Sequence, residues 1–243
     1  MTARFIKAGA RLDGGGIPPN SPDMEKALVI GASGGIGAAI VNELKTRGVA
    51  VTSLSRSQDG LDVTSEASIA HHLDALSGPF DLIFVATGAL VINGHQPEKS
   101  LKSLSVSGLA DQYAVNAIGP ALILKHSLRL LPRRARSVFA VLSARVGSIG
   151  DNGLGGWHSY RAAKAGVNQL IHGGAIELAR SHKQAVAVCL HPGTVATDFT
   201  AHYPDHDKVT PDQAAQNLLD VIAGLTPAQT GGFYDYAGRE IPW

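Results

Sequence analysis

Tyr160 stands one helical turn before Lys164, the sole Tyr-x-x-x-Lys pair in the chain, and Ser143 follows an apolar run just upstream. A phenol titrates near 10, too high for efficient proton transfer at neutrality, and an ammonium on the same helical face lowers that value by stabilising the phenolate. A serine hydroxyl nearby can donate a hydrogen bond to an oxygen where charge develops. Far upstream lies Gly31-Ala32-Ser33-Gly34-Gly35-Ile36-Gly37. Glycines permit a tight turn and close backbone approach, and a helix beginning there offers unpaired N–H groups to a pyrophosphate. A nucleotide-binding turn followed by a proton donor is the order hydride transfer needs. Each piece also has a plainer use: Tyr160 as a core residue of an amphipathic helix, Ser143 as a strand-end hydroxyl, the glycines as a structural turn.

The elements that must position these groups alternate from Ala27 onward. Strands are expected at Ala27–Ile30, Val49–Leu54, Asp81–Ala86, Ser137–Leu142, Ala185–Leu190 and Phe233–Tyr236. Helices are expected at Ile36–Arg47 with Gly48 after it, from a Thr64 cap to about Leu76 before Gly78-Pro79, around Ala114–Leu131, and at Tyr160–Arg180. A last helix is expected from Thr210-Pro211 to about Ala223. Continuously apolar strands separated by helices imply an α/β fold, a doubly wound parallel sheet with helices on both faces. Ligands of such sheets sit beyond the carboxyl ends of the strands. Gly31, Ser55, Ala86, Ser143 and His191-Pro192-Gly193 all fall at that edge.

The turn reads Gly-x-x-x-Gly-x-Gly through Gly31, Gly35 and Gly37, a different spacing from the common Gly-x-Gly-x-x-Gly with the same physics. Gly31-Ala32-Ser33-Gly34-Gly35 also satisfies Gly-x-Ser-x-Gly, the nucleophile elbow of a serine hydrolase, with Ser33 as nucleophile and His191 as a recruitable base. That parse leaves Tyr160 and Lys164 without a role and puts the elbow after the first strand. The second strand ends Ser53-Leu54-Ser55-Arg56-Ser57 with no acid to bind ribose hydroxyls. Arg56 and the flanking hydroxyls suit a 2′-phosphate, so NADP(H) is expected over NAD(H). Asp62-Val63 falls where a side chain could meet an adenine ring; an Asp opening a turn is the simpler account.

With Leu142-Ser143-Ala144-Arg145-Val146-Gly147-Ser148-Ile149, Gly155-Gly156-Trp157 and the ending Tyr234–Trp243, the chain resembles the short-chain dehydrogenase/reductase family, C-factor-like branch, from about Met24 to Trp243. The resemblance implies a Rossmann-type fold and an NAD(P)-dependent oxidoreductase acting on a small carbonyl or secondary alcohol. It implies that Tyr160 is the general acid or base, that Lys164 lowers its pKa and binds the nicotinamide ribose, that Ser143 orients the carbonyl, and that Asn116 holds a relay water. It further implies cofactor contacts from Gly31, Ser33, Gly35, Ile36, Gly37, Ser55, Arg56, Asp62, Val63, Thr87, Gly88, Asn116, Tyr160, Lys164, Pro192, Gly193, Thr194 and Thr197. Relatives commonly form homodimers or homotetramers through long helices, here Ala114–Leu131 and Tyr160–Arg180.

Two departures stand out. The family's usual Asn-Asn-Ala-Gly is here Val85-Ala86-Thr87-Gly88, which loses bracing side-chain amides. Ser143 and Tyr160 are 17 positions apart (160 − 143), wider than usual, so residues from Gly150 to Gly156 should loop out. Trp157 then either walls the substrate pocket or anchors that loop. Arg145 reads as a solvated loop arginine rather than an attractor of acidic substrates. Because the branch includes proteins described as intercellular signals, a nucleotide-binding signalling or redox-sensing protein with little turnover is the alternative of another class.

Composition narrows the rest. The 243 residues carry a formal net charge of +1, which gives no electrostatic case for nucleic acid or an anionic membrane. Arg133, Arg134 and Arg136 read as a solvated helix end. No apolar run suits a membrane helix. Cys189 is the single cysteine, expected as a buried strand thiol, and the whole suits a cytoplasmic protein. Residues 1–23, rich in Gly and Pro, read as a flexible extension, with Arg4, Lys7 and Arg11 before Asp13 allowing a transit peptide and Met24 opening the domain of residues 24–243. No metal is expected: His202, Asp205, His206 and Asp207 have ligand chemistry, but Pro204 breaks the helix that would align them, and a polar lid from Phe199 to Val209 accounts for them better.

Overall fold

The computed structural model describes residues 24–201 and 207–243. The expectations for residues 1–23 and for His202, Pro204, Asp205 and His206 therefore lie outside the described residues. Six strands form one sheet: β1 Lys26–Ile30, β2 Ala50–Leu54, β3 Leu82–Val85, β4 Ser137–Leu142, β5 Ala185–His191 and β6 Phe233–Asp235. The helices are α1 Gly35–Thr46, α2 Arg56–Asp59, α3 Glu66–Asp74, α4 Val106–Tyr113, α5 Gly119–Ser127, α6 His158–Ser181 and α7 Pro211–Gly224.

Every strand pair is parallel, in the order β2-β1-β3-β4-β5-β6. Successive side chains of β1 enter opposite layers. Leu28 and Ile30 join Ile69, Ile123, Val167 and Ile171 from α3, α5 and α6, while Ala27 and Val29 join Ile40, Leu44, Leu218 and Ile222 from α1 and α7. Two apolar faces on one strand explain the unbroken apolar runs. The chain runs outward from β1 to β2, then crosses back to β3 on the other side of β1. That reversal opens a crevice between the carboxyl ends of β1 and β3.

Three local expectations need correction. Ser65, not Thr64, caps α3, its hydroxyl accepting from the Ser68 N–H. The Thr64 N–H and hydroxyl both turn to the Asp62 carboxylate (2.9 and 2.7 Å), so Asp62 does open a turn. The helix expected around Ala114–Leu131 starts earlier, at α4, where the Ser105 hydroxyl accepts from Gly108 N–H, and it widens into a π turn over Ala114–Ile118 before α5. Pro120 supplies the reason: it has no N–H for the Asn116 carbonyl and its ring crowds that oxygen, so the helix loosens there. Arg136 does not serve the helix it follows. Its Nη2 donates to the carbonyls of Ile222, Ala223 and Leu225 (2.7, 3.3 and 3.0 Å), placing a cation on the carbonyl end of α7.

Among the described residues no helix is long and apolar enough to cross a membrane. Cys189 is buried in β5, and burial pushes its thiol up to about 12.

Candidate active site

The glycine turn sits on the crevice. Gly31 adopts φ +88°, a left-handed conformation costly for side-chain-bearing residues, and a Cβ there would lie 2.9 Å from the Ala86 carbonyl carbon at the end of β3. A Cβ on Gly37 would run into the Gly31 carbonyl oxygen. Gly34 begins α1 without a side-chain cap and no acid occupies the first turn, so the first N–H groups of the helix lack side-chain partners. Ser33 and Gly35 are exposed beside them, and Thr197 reaches over from beyond β5 until its Cγ2 is 2.5 Å from where a Gly35 Cβ would be. The Thr87 hydroxyl is buried without a partner at the end of β3. Bare glycine backbone, open helix donors and an orphaned hydroxyl fit the phosphate and ribose portions of a dinucleotide.

At the end of β2, the Ser55 hydroxyl caps α2 by accepting from Gln58 N–H (3.2 Å), and Arg56 is exposed. The expectation that no acid reaches this edge is corrected: Asp59 folds back, its Oδ2 accepting from Ser55 N–H at 2.7 Å. Four residues of helical turn bring it there. Asp62 lies close enough to Arg56 to feel its charge, and hydrogen bonds from Thr64 hold its carboxyl below the usual range. Val63 packs against α5, its carbonyl oxygen 2.7 Å from where a Gly119 Cβ would be.

Tyr160, Lys164, Ser143 and Asn116 are all buried. Lys164 Nζ donates to the Leu142 carbonyl at 2.9 Å and lies 5.8 Å from the Tyr160 ring centre. Ser143 Oγ lies 2.7 Å from Asn168 Oδ1, and Asn168 follows Lys164 by one turn of α6. Asn116 rides on the π turn: its Nδ2 donates to the Ala89 carbonyl (2.9 Å) and Gln112 Oε1 (2.7 Å), and its Oδ1 accepts from Ala89 N–H (3.2 Å). A Cβ on Gly88 would stand 3.0 Å from Asn116 Oδ1 and 3.5 Å from Lys164 Nζ, so only bare backbone passes between them. Trp157 and Phe199 flank the phenol, their ring centres 6.2 and 6.0 Å from it. Trp157 thus both walls the site and, through its N–H to the Glu98 carbonyl, anchors the loop. Pro192, Gly193 and Thr194 follow β5, and Gly193 packs on the Tyr236 ring.

Over residues 31–232 the chain matches the family described as enoyl-(acyl carrier protein) reductase. It is 33% identical to 1-hydroxy-2-glutathionyl-2-methyl-3-butene dehydrogenase of Rhodococcus sp., covering 90% of this chain and 100% of that protein. It is 34% identical to C-signal of Myxococcus xanthus, covering 59% of this chain and 84% of that one. The chain belongs to the short-chain dehydrogenase/reductase family. Among solved structures, a short-chain dehydrogenase/reductase of Burkholderia multivorans with bound NADP superposes at a TM-score of 0.75 and 25% identity, over 90% of this chain and 100% of that one. The protein is an NAD(P)-dependent oxidoreductase with the Rossmann-type fold of its family, and the likeness to C-signal agrees with the C-factor-like branch. The hydrolase parse fails also on position: β3 and β4 separate β1 from β5, placing His191 about 14 Å from the turn that carries Ser33.

The electrostatics of these buried groups differ from expectation. Burial pushes the Tyr160 phenol well above its usual value, and no opposing effect of Lys164 is found; burial likewise lowers Lys164 to about 8. The dry site penalises the charged form of each group. The Asn168 amide nitrogen, meanwhile, is buried without a partner. Turning that amide over sets Nδ2 against Ser143 Oγ and frees the Ser143 proton for another acceptor.

Glu98 is the functional residue sequence reasoning missed. It is 7% exposed, and its carboxylate accepts from Ser159 N–H at 3.1 Å while its carbonyl accepts from Trp157 N–H at 2.5 Å. The start of α6, whose own cap position is Trp157 in a left-handed conformation, is thus held from outside, one residue before Tyr160. Burial alone would raise the Glu98 carboxyl; the bonds from Ser159 outweigh it and hold it below the usual range. Its support is therefore present above the unfolded value and lost as pH falls through the folded one. Only a solvated-looking Gln-Pro-Glu-Lys stretch marks it in sequence. Glu98→Ala should lower the melting temperature by roughly 5 °C, since a buried N–H loses its acceptor, and cut kcat by about tenfold with cofactor affinity unchanged. Glu98→Gln, which keeps an acceptor oxygen, should recover most of both. Unaltered kcat in Glu98→Ala would show that Tyr160 does not depend on this clamp.

Proposed function

We propose that the protein reduces a small carbonyl compound with NADPH, Tyr160 giving the proton. The observation that carries this reading is the meeting of Asn116 and Lys164 on either side of the Gly88 backbone, with Tyr160 and Ser143 beside them. Gly31, Gly35, Gly37, Thr87 and Thr197 would hold the phosphates and ribose. Bound there, the dihydronicotinamide would supply a hydride to the carbonyl carbon. Ser143 fixes the carbonyl oxygen by a hydrogen bond, and the Tyr160 O–H delivers the proton to that oxygen. A phenol pushed upward by burial keeps its proton throughout the neutral range, which favours acting as an acid in reduction over acting as a base in oxidation. Lys164 lies behind the phenol to balance the charge it acquires. The Asn116 carbonyl, whose ordinary helical donor would be the missing N–H of Pro120, holds the water that restores the proton. Trp157 and Phe199 exclude bulk water.

Loss of NADPH absorbance across a panel of aldehydes, ketones and quinones tests the reading. Binding of NADPH without oxidation by any of them would leave a nucleotide-binding signalling or redox-sensing protein instead. The preference for NADPH is carried by Arg56, exposed at the end of β2, and supported by the NADP in the Burkholderia relative. Asp59 is turned onto Ser55 N–H rather than left free for a ribose. Arg56→Asp should lower the ratio of kcat/KM for NADPH over NADH by about tenfold or more, the value of a charge-assisted bond to phosphate. An unchanged ratio would remove Arg56 from phosphate recognition.

A further inference from the structure

We infer that the cavity beyond β5 and β6 receives a carboxylate carried by the substrate. The inference rests on the carbonyl-reductase reading and names its substrate class. The cavity measures about 400 Å³, and its walls include Arg145, His191, Lys208, Asp235, Tyr236 and Arg239. It lies at the end of β4 and β5: Ser143 N–H donates to the Leu190 carbonyl at 2.8 Å, Arg145 follows Ser143 by two residues, His191 follows Leu190, and Pro192, Gly193 and Thr194 belong to its walls.

Three cations line this space, and their partners leave them donors. Arg239 is braced by Asp235 through Nε and Nη2 (2.9 and 2.8 Å), and Arg145 meets Asp151 through Nε (2.5 Å). A guanidinium has five N–H donors in a planar fork, so each retains donors for a second anion. Lys208 Nζ donates to the Thr200 carbonyl at 2.7 Å.

Asp235 does not repel an incoming anion as a free carboxylate would. It is buried, and its oxygens accept from Ala237 N–H, Arg239 N–H and the Arg239 side chain, so it serves as a brace that aims Arg239. Among the described residues Asp207 is the other acid on the wall, and it is exposed. His191 is kept neutral by burial, at about 4, and adds no competing charge. Arg145 feels both Asp235 and Arg239, which places the three within one electrostatic neighbourhood. A concave space with convergent cationic donors beside a carbonyl-reducing site suits a substrate whose remote end is an acid.

The probes are para-carboxybenzaldehyde and its methyl ester, which share the reacting aldehyde and differ in the anionic charge. The ester's stronger electron withdrawal favours its own reduction and so works against the expected preference. Wild-type protein should show kcat/KM for the acid about tenfold or more above that for the ester at low salt, the range of discrimination that one charged group provides. In an Arg145→Gln/Lys208→Gln double variant, and more weakly in Lys208→Gln alone, the acid-to-ester ratio should approach one while the KM for NADPH stays put. Calorimetric binding of both probes to the NADPH-loaded protein reads the same ratio without turnover. If neither aldehyde is reduced but the acid binds more tightly and the double variant abolishes that advantage, the reductase reading fails and the carboxylate site stands. Equal binding of acid and ester, a ratio indifferent to the double variant, or a change confined to the KM for NADPH would overturn it.

Discussion

Tyr160→Phe should leave a folded, NADPH-binding protein whose carbonyl reduction is slower by about a thousandfold, the usual magnitude of a lost general acid. The ring is 4% exposed and rests against Trp157 and Phe199, contacts that phenylalanine preserves. The melting temperature should therefore move little, and NADPH affinity should stay within about twofold, since the change removes one oxygen at the reacting carbonyl rather than at the phosphates. Stopped-flow turnover and fluorescence titration of NADPH separate the two effects. Turnover surviving in the variant would remove Tyr160 from the mechanism.

Lys164→Met should do something less ordinary: abolish most turnover while making the protein more stable at neutral pH. Burial lowers the Lys164 ammonium from 10.5 to about 8, so the unfolded chain holds that proton more tightly than the native protein does. Below pH 8 this costs the native state about 3 kcal/mol, and the cost fades as pH rises from 8 to 10.5. Methionine fills the same space without charge. The lost bond to the Leu142 carbonyl offsets about 1 kcal/mol, leaving a net gain of about 2 kcal/mol and a rise of roughly 4–8 °C in melting temperature. The wild-type pH profile should report the same group, with reduction falling as pH rises through about 8 and Lys164 loses its proton. A variant melting lower than wild type at pH 7 would show that the ammonium is not a burden to the fold.

The second outcome describes a site built at the expense of stability, and the members of that site were not equally visible along the chain. Tyr160 and Lys164 were legible because a helix repeats every 3.6 residues, so a spacing of four guarantees one face. Gly31 and Gly37 were legible because a strand-to-helix turn this tight tolerates no Cβ, and the strands because both faces of a parallel sheet are covered. The start of α4 was not, since Val106 and its neighbours are exposed and leave no apolar period to read. Nor was Asp59 at the edge of β2, because its return depends on the turn of α2.

The chain by itself determined the order of strands and helices, the glycine turn, and a phenol and an ammonium on one helical face, all of which follow from local sterics and short-range periodicity. Tertiary structure decided the rest: that Glu98 clamps the start of α6, that Asn168 faces Ser143, and that Arg145, Lys208 and Arg239 share a cavity. It also reversed the expected sign for Tyr160, whose phenol rises rather than falls. The physical reason is that desolvation and long-range contacts are properties of what surrounds a group, and those surroundings come from residues tens of positions away.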